Sequence, residues 1–167
     1  MPDPSSTIRD YLVDNEIEFD EVHADSFLVV LPGERKQRTT VSLVIGDHAV
    51  SINAFVMRRP DENHMAVYRW LLERNRRMYA VTYALDHLGD IYLVGRINRH
   101  ALTNDELDRV LGTILENADG HFNALLEMGF ESAIRREWAW RESRGESLAN
   151  LEAFRHLVNN PDPGSAG

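Results

Sequence analysis

Between Thr39 and Met57 apolar side chains recur at every second position, interrupted once by Gly46-Asp47-His48. Val41, Leu43 and Ile45 share one parity before the break, and Val50, Ile52, Ala54 and Val56 share one after it. Successive side chains of a strand point to opposite faces, so the pattern specifies a hairpin with one face against a core. Asn53 and Phe55 fall on the other face. Parallel strands buried on both sides read as continuous apolar runs. The alternation therefore points to an antiparallel sheet with one open side.

The flanks repeat the theme. Phe19 to Val22 and Phe27 to Leu31 read as strands separated by the polar cluster Ala24-Asp25-Ser26. Pro32-Gly33 stops the second of them and opens a charged loop, Glu34 to Arg38. Tyr79 to Leu85 and Ile91 to Ile97 form a further hairpin around Asp86 to Asp90. Helical spacing appears elsewhere. Ser5 or Ser6 caps a first helix with Ile8, Tyr11 and Leu12 on its stripe, ending near Asn15. A second helix runs from His64 to about Arg76, with Asp61, Glu62 and Asn63 at its start and Met65, Tyr68, Leu71 and Leu72 as its apolar stripe. Thr103-Asn104-Asp105-Glu106 is a capping box. It begins a stripe that continues from Leu107 to Trp138, past Gly120 and Gly129. Unbroken from Thr103 to Arg144, such a helix would be roughly 60 Å long at 1.5 Å per residue, so a break is expected at one of the two glycines. Gly145 ends it, and Leu148, Leu151, Phe154 and Val158 mark a short terminal helix. The order α-ββββ-α-ββ-α predicts an α+β fold in which helices pack on one face of an antiparallel sheet. A single domain over residues 5–159 is expected, with flexible termini at 1–4 and 160–167.

With 167 residues, 43% of them hydrophobic, the chain needs no disulfide or metal to hold a core, and it contains no cysteine. That removes cysteine nucleophiles, thiolate zinc sites and disulfides together. The balance of 18 basic against 27 acidic residues, net −9, argues against general phosphate-backbone binding. No basic start with an apolar run marks an export signal, and no apolar stretch approaches bilayer length. A cytoplasmic location with no membrane contact is the expectation. The seven histidines lack the spacings of a ligand set. Asp47-His48 and Asp86-His87 read as hairpin turns rather than acid–base pairs. Neither a G-x-S-x-G elbow nor a glycine-rich phosphate loop occurs. No catalytic, cofactor or metal residue set emerges.

Two features stand out. Within Met57 to Arg77 lie Arg58, Arg59, Arg69, Arg74, Arg76 and Arg77 against Asp61, Glu62 and Glu73, a local +3 in an acidic chain. Such arginines either pair with carboxylates, internally or across an interface, or receive an anion. An anion at Arg58 and Arg59 would sit near the start of the second helix. Second, Trp138 and Trp140 lie about 200° apart around a helix axis. Trp138 continues the buried stripe, and Trp140 points elsewhere, either under the terminal helix or toward another subunit.

The run Phe55-Val56-Met57-Arg58-Arg59-Pro60, followed by Tyr68-Arg69-Trp70-Leu71-Leu72, Arg74-Asn75 and Leu88-Gly89-Asp90-Ile91-Tyr92-Leu93-Val94-Gly95, resembles the actinobacterial YbjN-domain proteins, labelled bacterial sensory transduction regulators. The likeness extends through Leu107 to Phe130 and into Trp138-Ala139-Trp140-Arg141 and Asn150-Leu151-Glu152. It implies a fold similar to type III secretion chaperones, a protein partner and commonly a dimer, and it brings no catalytic or cofactor residues. Together these readings predict a non-enzymatic, homodimeric protein-binding module. Its contact surface combines Asn53 and Phe55, the arginines Arg58, Arg59, Arg69, Arg74, Arg76 and Arg77, and Trp140. Two alternatives stay open at this point: a sensor of small anions, and an enzyme whose site assembles from separate hairpins.

Overall fold

The structure is a computed structural model, and it describes residues 2–159. The flexible end expected at 160–167 lies outside the described residues. At the other end, α1 (Pro4–Asp14) begins inside the stretch expected to fray. Asp3, not Ser5 or Ser6, is its cap, accepting from the Ser6 N–H, and buried Pro4 occupies the first turn, where a missing N–H costs nothing.

Four strands follow: β1 (Glu18–His23), β2 (Ser26–Pro32), β3 (Arg38–Ile45) and β4 (Ala49–Met57). After α2 (His64–Asn75) come β5 (Val81–Leu85) and β6 (Ile91–Asn98). All neighbours are antiparallel, in the order β1-β2-β3-β4-β6-β5, so the second hairpin joins the first through β6 and leaves β5 at the edge. Phe27, Val29, Val41, Leu43, Val50 and Ile52 point to one face and are buried against the helices. Leu28, Val44, Ser51, Asn53 and Phe55, of the opposite parity, line the open face.

The long stripe is interrupted twice. α3 (Asn104–Leu115), capped by the Thr103 hydroxyl at the Glu106 N–H, passes into a π-helical turn, Glu116–Gly120. Then α4 (Phe122–Arg144) bends at Phe130 (φ −138°, ψ 24°), immediately after Gly129. Both glycine regions break the helix, and each break exposes backbone that another segment uses. The carbonyl of Gly129 accepts the N–H groups of Asp61 (3.0 Å) and Glu62 (3.2 Å), and the Met128 carbonyl accepts Asn63 Nδ2. A Cβ at Gly129 would stand 3.0 Å from Pro60 Cβ, so a larger residue would press on this loop.

That docking corrects the reading of α2. Asn63 sits at the N-cap in the left-handed region (φ 55°) with no side-chain cap bond, and Glu62 reaches Ser132 while Asp61 pairs with Arg58. The expected capping residues hold the loop to α4 instead. The stripe turns as well: Val67 and Leu71 are buried, whereas Met65 is 85% and Leu72 66% exposed. Period 3.6 permits more than one apolar line on this helix, and the anchored loop selects which faces the sheet. Beyond the bend, Trp138 is buried, as are Phe154 and Leu157 of the terminal turns, Ala149–Phe154 and α5 (Arg155–Asn159), and Arg155 lies over the Trp138 ring at 5.3 Å. Among the described residues no helix is long and apolar enough to cross a membrane.

Candidate recognition surface

Phe55 leaves the open face of β4 with its ring edge-on to Tyr92, centroids 5.4 Å apart. Beside it the C-terminal end of β4 and α4 enclose a groove of about 470 Å³, lined by Phe55, Met57, Phe122, Leu126, Phe130 and Ala133, with Lys36 and Arg58 as its charged members. Ala133 also lines an adjoining depression with Arg136, Glu137 and Trp140. Phe55 and Arg58 thus border one depression and Trp140 another, and Ala133 is common to the two. Trp140 is 47% exposed, and its ring lies beneath Arg144.

Lys36 is the chain's one lysine, and sequence reasoning passed over it. Its Nζ donates to the carbonyls of Phe55 and Val56 at 2.7 Å each, just past Val41–Ala54, where the pairing of β3 with β4 ends. It also lies 5.0 Å from the Phe55 ring centroid and 5.7 Å from that of Phe122. Burial pushes its amine down to about 8, opposed by the charge of Asp119. The ammonium is a compact point charge with three rotatable donors, which suits two adjacent carbonyls. The lone lysine in an arginine-rich chain was the signal available.

Asp119 holds the loop that carries Lys36. Its carboxylate accepts the N–H groups of Lys36 (2.6 Å), Arg35 (2.9 Å) and Glu34 (3.2 Å). Burial works against its charge, and the three backbone donors outweigh burial, keeping the carboxyl below its ordinary range. A Cβ on Gly33 would lie 2.4 Å from Asp119 Oδ1 and 2.2 Å from the Lys36 carbonyl, so only glycine fits there.

The arginines divide. Arg58 pairs with Asp61 at 2.9 Å, stacks on the Phe130 ring at 4.2 Å and holds the Asp61 carboxyl below its usual range. Arg59 donates its backbone N–H to Asp90. Arg69 pairs with Glu73 at 2.9 Å. Arg74, Arg76 and Arg77 gather around Trp70, on another part of the surface. Asn53 lies on the open sheet face, two residues before Phe55 and opposite Ser42 and Val94.

Groups that suggest chemistry elsewhere are occupied. Tyr83 donates its hydroxyl to the Asn117 carbonyl at 2.6 Å, and burial raises its pKa. Asp86 accepts from the N–H groups of Leu88 and Asp90, both at 2.9 Å, which is turn chemistry.

Comparison with known proteins places this geometry. The fold is that of the type III secretion chaperones: it superposes on a chain of the heterodimeric ExoU–SpcU complex of Pseudomonas aeruginosa with a TM-score of 0.56 at 17% identity, covering 72% of this chain and 98% of that one. YbjN from E. coli superposes with a TM-score of 0.50 at 15% identity, over 70% of this chain and 86% of that one. Residues 4–127 match the YbjN family, described as "Putative bacterial sensory transduction regulator", and the chain belongs to that family. It is 59% identical over 132 residues to the uncharacterized protein Rv0487 of Mycobacterium tuberculosis, covering 79% of this chain and 72% of that protein.

Proposed function

We propose that this chain is a non-enzymatic regulatory module that binds another protein along the path from Phe55 to Trp140. The observation that carries the reading is the sharing of Ala133 by the Phe55–Arg58 groove and the Trp140 depression. Aromatic and apolar side chains form the floor, and the rim carries Lys36 and Arg136 as cations, with Arg58 and Glu137 already paired to Asp61 and Arg141. An interface of this composition draws its affinity from buried aromatic anchors and its orientation from rim charges. The occupant that fits is a segment with apolar side chains flanked by Asp or Glu. The ExoU–SpcU neighbour is itself a complex of two proteins, which agrees with this use of the fold.

The homodimer belongs to a different face. Met65, Tyr68 and Leu72 form an exposed apolar stripe along α2, and Arg69 and Glu73 stand beside it. A two-fold axis across the stripe would set Arg69 of one copy near Glu73 of the other, so the surface is complementary to itself. The module works in the cytoplasm as this dimer.

The test separates the two faces. Trp140→Glu and Phe130→Ala should lose partner capture without changing the mass found by light scattering, while Met65→Asp with Leu72→Asp should yield monomers. Phe130 is buried, so Trp140→Glu carries the test if Phe130→Ala unfolds. A folded Trp140→Glu variant that captures the same partner from the native host as strongly as the parent refutes the groove.

A further inference from the structure

Trp70, Glu73, Arg74, Arg76 and Arg77 line a cleft of about 360 Å³ at the end of α2. A second cavity of about 270 Å³ shares Arg74 and Arg77 with it. Three arginines face one acid in the first cleft, and that acid, Glu73, is already paired with Arg69. Arg58 and Arg69, from the same stretch of chain, have each taken a carboxylate. Among the described residues Arg74, Arg76 and Arg77 make no ion pair, in a chain of net −9 that has acids to spare.

Arg74 is also held in place by groups that do not neutralise it. Its guanidinium lies 5.0 Å from the Trp70 ring centroid. It donates to His121 Nε2, a bond that requires the neutral imidazole. Trp70 in turn packs against His121 and Tyr83, at 5.5 and 5.9 Å between ring centroids. Arg74 Nε is buried with no hydrogen-bond partner. A guanidinium serving only to stabilise the fold gains most from a carboxylate; one fixed by aromatic and neutral groups keeps its full charge for something outside the chain. Each cavity has one acid: Glu116 on the second makes no ion pair among the described residues, whereas Glu73 on the first is taken by Arg69, so the Trp70–Arg76 end is the seat.

We propose that the cleft formed by Trp70, Arg74, Arg76 and Arg77 binds the phosphate or diphosphate group of a small phosphorylated ligand. A planar guanidinium matches two phosphate oxygens at once, and three converging on one cleft match a multiply charged group better than a single carboxylate. A short cleft with an acidic neighbour does not form the extended track that a nucleic-acid backbone needs. This site is separate from the groove proposed for protein binding; it shares Arg76 with the α2 face proposed for the dimer, whereas Arg77 lies off that face, so Arg77→Gln carries the test if Arg76→Gln alters the mass found by light scattering.

The experiment is titration calorimetry of the full chain with inorganic pyrophosphate at low salt. Arg76→Gln and Arg77→Gln are the variants, because both side chains are exposed and hydrogen-bond to nothing among the described residues. Arg96→Gln, exposed on β6, is the control for the same loss of charge. One site per chain is expected, weakened about tenfold by each cleft variant, unchanged by Arg96→Gln, with melting temperatures preserved in all three. Absence of saturable binding overturns the proposal. So does equal weakening by Arg96→Gln, which would mean diffuse attraction, or an oligonucleotide that outcompetes pyrophosphate, which would reassign the cleft to nucleic acid.

Discussion

Lys36 and Asp119, 83 positions apart, meet through the Lys36 N–H, which donates to Asp119 Oδ1 at 2.6 Å. The same lysine reaches back with Nζ to the Phe55 and Val56 carbonyls. One residue therefore ties the β2–β3 loop to the π-helical turn at its backbone and to the end of β4 at its side chain. The groove wall between Phe55 and Phe122 exists because of this double attachment.

Asp119→Ala removes the acceptor for three part-buried N–H groups and should cost about 1–3 kcal/mol of stability, measured by urea unfolding. Gly33→Ala should destabilise through the same contact, since its Cβ would press on Asp119 Oδ1. The folded-state pKa of Asp119 is lowered. Its contribution is therefore present above the unfolded carboxyl value and lost as pH falls through the folded one. The acid limb of the stability curve should flatten in Asp119→Asn; an unaltered limb contradicts the assignment.

Lysine labelled with ¹³C and ¹⁵N gives a single side-chain signal in this chain, because Lys36 is the one lysine. It should titrate at about 8 instead of the ordinary 10.5. The folded state then releases its proton before the unfolded state does. Between pH 8 and 10.5 stability should rise relative to Lys36→Met, as the penalty of a buried cation is relieved. A midpoint above 10 would show that the two carbonyls and the ring faces offset burial completely.

Burial, with the charge of Arg74 adding to it, holds His121 below its ordinary pKa of 6.5. The unfolded chain protonates first as pH falls, so stability should decline below about pH 6.5. Arg74→Gln should move the His121 imidazole midpoint upward, read from its ring proton shifts. A midpoint that stays in place would mean that Arg74 does not act on the ring.

Gly129→Ala forces a methyl group against Pro60 and loosens the loop that starts α2. A loss of about 1–3 kcal/mol is expected, the usual cost of overpacking. Amide exchange at Asp61 and Glu62, whose N–H groups donate to the Gly129 carbonyl, should accelerate more than exchange in β4 or β6. Uniform acceleration would place the effect in global unfolding.

The open and buried faces of the sheet were legible in the chain because period two is local: once Val50, Ile52 and Ala54 are inside, Asn53 and Phe55 must be outside. The split between Trp138 and Trp140 followed from helical geometry in the same way, as did the need for a break at one of Gly120 and Gly129; that the chain breaks at both was decided by packing. Local sequence could not set the rotation of α2, since Met65-Tyr68-Leu72 and Val67-Leu71 are both acceptable apolar lines and the choice is made by Pro60 to Asn63 docking at the bend of α4. Nor could it tell which arginines would find carboxylates. Arg58 and Arg69 have acids three or four residues away on the chain, whereas the surroundings of Arg74 come from Trp70, Tyr83 and His121, brought together only when β5 and the turn before α4 close around α2. Periodicity is a property of neighbours along the backbone; the pairing of Lys36 with Asp119 is long-range, and such contacts are decided by packing of the whole.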